Sequence, residues 1–126
     1  MNYRLPKSER LHAERVIKEL FSEGSSFFLY PFKVIFLRKI DLVGQANQVL
    51  FSVSKKKIKR ANGRNFIKRR FKEAYRLNKH LLPSDGIILG FIFVGKAEMS
   101  FAEIEPKMIQ ALNKLSQELF QNPLST

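Results

Sequence analysis

Between Arg64 and Glu73 the chain reads RNFIKRRFKE, which sets five cationic side chains, one amide and three apolar side chains into ten residues. Arginine presents a planar fork of donors matched to phosphate oxygens or a base edge, lysine a point charge, and asparagine one donor end and one acceptor end. Such a set binds polyanions. The window from Lys55 to Lys79 holds twelve Lys or Arg against one acid, Glu73, while the rest of the chain carries eleven basic and ten acidic side chains. Nearly all of the net charge of +12 therefore belongs to one element of an otherwise neutral protein.

A helix over about 64–82, turning about 100° per residue, places Arg64, Lys68, Arg69, Lys72, Arg76 and Lys79 on one face with Asn65 among them. Ile67, Phe71, Ala74 and Leu81 form the stripe that seats this helix, with Arg70 close to the apolar side. Arg64, Lys68, Lys72 and Arg76 follow one another at i, i+4, where like charges repel by a few tenths of a kcal/mol per pair. Glu73 offers little relief beyond a salt bridge to Arg69 or Arg76. A merely solvated face has no reason to accumulate this repulsion, whereas bound phosphates remove it. Just upstream, SVSKKKIKRANG adds Lys55, Lys56, Lys57, Lys59 and Arg60, so the basic surface continues over a strand end and a loop.

Catalytic chemistry has far less to work with. Phosphodiester cleavage by protein side chains needs a general acid and base, often histidine, or several carboxylates around metal ions. Here His12, His80, Asp41 and Asp85 are scattered, and without cysteine there are no thiolate nucleophiles, thiolate zinc sites or disulfides. No catalytic or metal-ligating residue is expected. A binding subunit fits better than a self-sufficient nuclease.

The elements that must carry this surface follow from periodicity. Ser8 can cap a first helix over about 9–22, in which Ala13, Val16, Ile17, Leu20 and Phe21 share a face and Gly24 suits the exit. Phe27 to Lys39 reads as a strand with Pro31 near its start; Phe32, Val34 and Phe36 point to one side, Lys33, Ile35 and Leu37 to the other. VLFSVS, 49–54, is expected as its hairpin partner, and IILGFIFV, 87–94, apolar on both faces, as a central strand. A last helix begins either at a Ser100/Glu103 capping box or at Pro106. The expected class is α+β, a two-layer sandwich of a mixed sheet with packed helices in the order α-β-β-α-β-α, with room for an extra short strand. Its 126 residues are expected to make a single domain that buries roughly two-thirds of its unfolded surface. No apolar run reaches bilayer length, and MNYRLPKSER lacks the apolar region of a signal peptide, so no membrane partner and a cytoplasmic location are expected.

SVSKK at 52–56, a short loop, and then Arg64, Asn65, Lys68, Arg69, Lys72 and Glu73 on a helix together resemble the protein subunit of bacterial ribonuclease P. RLHAERVIKELFSEG, 10–24, is similar to that family's first helix. The resemblance implies a left-handed βαβ crossover, against the right-handed norm. It also implies a function: binding ribonuclease P RNA and precursor tRNA while the RNA, with magnesium ions that it mainly holds itself, removes the 5′ leader. No cofactor held by protein side chains is implied. Lys55, Lys56, Arg64, Asn65 and Arg69 would hold the catalytic RNA, flanked by Lys57, Arg60 and Arg76. Ile17, Phe21, Ile35, Lys68 and Lys72 would line a leader cleft between the first helix and the sheet. Ile17 and Ile35 stand where aromatic residues are common, and Lys72 replaces a more frequent arginine. DNA is not an expected partner, because no helix-turn-helix signal surrounds the basic helix.

Overall fold

The structure, a computed structural model, describes residues 5–96 and 98–121. The segment expected as one strand from Phe27 is two. Pro31 has no N–H for a ladder, and the chain turns at Tyr30 and Pro31 between β1, Ser25–Leu29, and β2, Phe32–Arg38. These pair antiparallel from Ser25 opposite Phe36 to Leu29 opposite Phe32. The extra short strand allowed for is thus β1.

VLFSVS gives β3, Gln48–Val53, but β3 does not pair with β2 as expected. IILGFIFV gives β4, Ile87–Phe93, which lies between them, antiparallel to β2 and parallel to β3, so that the sheet order is β1-β2-β4-β3. A strand apolar on both faces gains most from the sheet interior, and that gain outweighs a local hairpin. The 41–48 connection is instead tied to the entry of β4. Asn47, almost fully buried, accepts from the N–H groups of Asp85 and Ile87 at 3.0 and 2.8 Å and donates to Pro83 O at 2.9 Å. Asp85 in turn accepts from Gly44 N–H at 3.0 Å and from the Arg38 guanidinium. Gly86 has φ +68°, and a Cβ there would meet Leu42 O at 1.9 Å, so the turn requires glycine.

Two helices cover one face of the sheet: α2, Ala61–Asn78, and α3, Phe101–Gln121. Ile67, Phe71, Ala74 and Tyr75 of α2 meet Phe32, Val34, Phe51, Phe91 and Phe93 of the sheet, with Ile104, Met108, Leu112 and Leu115 of α3 closing the core. The Phe71 ring contacts those of Phe32 and Phe93 edge-on at 4.9 and 5.0 Å. α3 begins at the capping box rather than at Pro106: Ser100 N–H donates to Glu103 Oε1 at 3.1 Å, and Glu103 N–H to Ser100 Oγ at 3.2 Å.

The opposite face carries α1, Glu14–Glu23, so the two-layer description fits the sheet with α2 and α3, and α1 adds a partial third layer. There Leu20 packs with Leu11, Ile35, Leu37 and Ile88. Gly90 in β4 makes the approach possible, since a Cβ would lie 2.8 Å from Ile35 Cγ2 and 3.3 Å from Leu20 Cδ2. The alternation expected for β2 holds: Phe32, Val34 and Phe36 join the α2–α3 core and Ile35 and Leu37 the smaller one. α1 starts about five residues later than its periodicity suggests. Arg10 bridges Val49 in parallel, Leu11 N–H donates to Val49 O at 2.8 Å, and the buried Leu11 side chain holds this segment extended along β3. Tertiary pairing here overrides local helix preference. Among the described residues no helix is long and apolar enough to cross a membrane.

Candidate nucleic-acid interface

Three features present the cations. After β3, Ile58 is buried and its N–H donates to Ser54 O at 3.0 Å, while Lys56 N–H donates to Ser54 Oγ at 3.2 Å. This plugged turn leaves Lys55, Lys56 and Lys57 exposed, and Lys59 and Arg60 follow them to the surface. α2 then begins at Ala61, with Asn62 and Gly63 inside its first turn. Asn65, Arg69 and Lys72 are exposed along the helix, with Lys68 half-buried.

Several residues of the expected face have duties within the fold. Arg64 Nη1 donates to Ile58 O at 3.0 Å and Lys59 O at 2.7 Å, bracing the lysine turn against the helix. Arg76 takes Glu73, which resolves that acid's choice of partner, and the hydrogen bond holds the Glu73 carboxyl below its ordinary pKa. Lys79 lies past the end of α2 in a short turn and pairs with Glu9 at 2.9 Å, latching the N-terminal segment to the basic element. Arg70, near the apolar side as the wheel requires, donates Nη1–H to Met99 O at 3.1 Å.

The five residues expected in one leader cleft are not brought together. Ile35 is 6% exposed and sits in the core beneath α1, because Gly90 lets the helix close over it. Ile17 is half-buried against the same cluster, and Phe21 is 49% exposed on the helix surface. Lys68 and Lys72 instead line a groove of about 320 Å³ along β3, with Lys7, Arg10, His12 and Leu50 among its walls. Among the described residues its lining contains four Lys or Arg side chains, one His and no acid. Leu50 links the two places, since it also packs on the cluster beneath α1. Beyond α1, the strand register aligns Phe28, Lys33, Ile92 and Ser52 across the same sheet face, with Phe28 62% exposed.

Lys7, Arg10 and His12 were not singled out as binding residues by sequence reading. Their only signal is a few basic residues near one end of the chain; the pairing with Val49 that delivers them to Lys68 and Lys72 is non-local. His12 Nδ1 lies 2.9 Å from Arg10 O, and His80 is not part of that groove. Among the described residues no three of His, Asp and Glu gather into a cluster that could hold a metal ion. The basic face and the groove can offer recognition of anions and apolar surfaces.

A family model described as Ribonuclease P matches residues 5–116. The ribonuclease P protein component of Porphyromonas gingivalis is 45% identical over 78 residues, which cover 62% of this chain and 57% of that protein. The chain thus matches little more than half the length of that relative. The corresponding component of Baumannia cicadellinicola is 30% identical over 111 residues, covering 84% of this chain and 92% of its own. The ribonuclease P protein of Thermotoga maritima superposes with a TM-score of 0.71 at 26% identity, covering 84% of this chain and 96% of that one. That of Staphylococcus aureus does so with a TM-score of 0.69 at 22% identity, a likeness of fold, covering 88% and 97%. A mixed four-stranded sheet with a basic helix between its parallel strands, and a family match across most of its length, place this chain in the ribonuclease P protein family.

Proposed function

We propose that this chain is the protein component of a bacterial ribonuclease P, acting in the cytoplasm. It binds the catalytic RNA and the 5′ leader of precursor tRNA, so that the RNA cleaves off the leader and leaves the mature 5′ end. The observation that carries this reading is the acid-poor surface made by the Lys55–Lys57 turn and the exposed side of α2, in a chain of this family. Two polyanions repel when they meet. A cationic surface between them releases condensed counterions from each and lowers the cost of contact.

In this reading Lys55, Lys56, Lys57, Arg60, Asn65 and Arg69 face the catalytic RNA, and Arg64 helps chiefly by holding the lysine turn in place. Lys68 and Lys72 draw the leader's phosphates into the groove beside β3, and Phe21 with the half-buried Ile17 offers apolar surface to its bases. Magnesium belongs to the RNA's phosphates, and no protein side chain takes part in bond breaking. The direct test adds the protein to bacterial ribonuclease P RNA and precursor tRNA at low magnesium. Faster cleavage at the mature 5′ end is expected; no gain overturns the proposal.

A further inference from the structure

Phe66 is 54% exposed on the most basic helix of the protein, with the guanidinium carbons of Arg69 and Arg70 each 5.9 Å from its ring centroid. Arg70 is held in place by its bond to Met99 O. Asn62, Asn65 and Arg69 join the ring around a pocket of about 240 Å³. A single exposed apolar residue is ordinary on a protein surface. An exposed ring flanked by two guanidiniums and two amides has the components of a nucleobase site. Its π-face can stack on any base, Arg adds a planar cation, and the Asn amides offer a donor and an acceptor to a base edge.

We infer that Phe66, Arg69, Asn62 and Asn65 form a pocket for one unpaired base of the catalytic RNA. This inference rests on the function proposed above. Charge complementarity selects a nucleic acid, and position selects which one. On the helix wheel Phe66 lies about 120° from Lys72, on the flank tied to Met99, whereas Lys68 and Lys72 occupy the flank facing β3. Leader and stacked base therefore meet opposite sides of α2. Arg69, between these flanks, holds phosphate next to the stacked base.

The test compares Phe66→Leu, which keeps apolar bulk without a ring, with Phe66→Trp, which keeps a ring. Each full-length variant is titrated against ribonuclease P RNA over a range of salt concentrations, and the RNA bases are probed chemically in the complexes. With wild type, one unpaired base is expected to be protected. Phe66→Leu should bind about tenfold more weakly, as when one base loses its aromatic partner, and should expose that base. Its salt slope should not change, because no phosphate contact is lost. Phe66→Trp should restore both affinity and protection. Binding of Phe66→Leu within about twofold of wild type, or equal loss in both variants, overturns the pocket. So does protection of a base in the leader of precursor tRNA instead. If wild type itself neither binds the RNA nor speeds cleavage, the proposed function falls with it; if wild type does both and only the Phe66 results fail, the pocket alone is wrong.

Discussion

Arg64 and Arg69 sit five residues apart on one helix and look alike in the sequence, yet the structure gives them different work. Arg64 spends a donor group on two carbonyls of the preceding turn, whereas Arg69 is exposed beside Phe66. Arg64→Ala should therefore cost stability as well as binding, by about 1 kcal/mol, the usual net worth of such hydrogen bonds. Arg69→Ala should leave the melting temperature unchanged and lower the salt slope of RNA binding by about 0.7–0.9 for the one phosphate released. Paired melting curves and salt titrations check both; a melting temperature lowered equally in the two would refute the division. Asp85 supplies a pH test. The Gly44 N–H first and the Arg38 guanidinium second hold its carboxyl below its ordinary pKa of 3.8. A depressed folded-state pKa stabilises above the unfolded value and loses that stabilisation as pH falls through the folded one. Asp85→Asn should thus be less stable than wild type at neutral pH, and the gap between their urea midpoints should close below about pH 4. A gap that persists into acid would show that the effect is packing.

At the scale of elements, what was legible in the sequence is what depends on neighbours along the chain. The apolar stripe Ile67, Phe71 and Ala74, the alternation in β2, the capping box of α3 and the cationic run all follow from residues a few positions apart, and all are present. The failures are non-local. β3 was assigned to β2 because they are sequential, but the free energy of burying both faces of β4 sets the order. The leader cleft came from the resemblance alone, and Gly90, by admitting Leu20 to Ile35, places Ile35 in the core. No periodicity announces that a glycine makes room for a helix. Two predictions belong to this scale. Gly86→Ala should destabilise by about 1–3 kcal/mol or more, since it combines positive φ with a clash against Leu42 O; a denaturant midpoint like that of wild type would contradict the turn geometry. Glu9→Gln, which weakens the latch to Lys79, should speed hydrogen exchange at the Leu11 amide bonded to Val49 O, while amides in the middle of β4 keep their protection.

At the scale of the molecule, α2 divides its surroundings, with a basic groove along β3 on one flank and Phe66 on the other. Lys72→Ala should accordingly weaken precursor tRNA more than mature tRNA in the assembled enzyme, while binding of the catalytic RNA changes little. Equal losses for the two tRNAs would count against a leader path on that flank. The net charge points to an anionic partner, but the side of the helix that such a partner would meet depends on what α2 packs against. The sheet order bears on the protein's own synthesis as well. Among the described residues β4 is the last strand made and the one that joins β3 to the rest of the sheet, so until it has emerged β3 has only the extended Arg10–Leu11 segment beside it. At translation rates of about 5–20 residues per second, the chain from Val53 to Phe93 takes roughly two to eight seconds. Throughout that interval the lysine turn and then the basic helix are outside the ribosome ahead of the strand that fixes them. On the function proposed above, the growing chain would carry its positive charge before its binding surface is finished, and selectivity among nucleic acids would arrive only when the sheet closes.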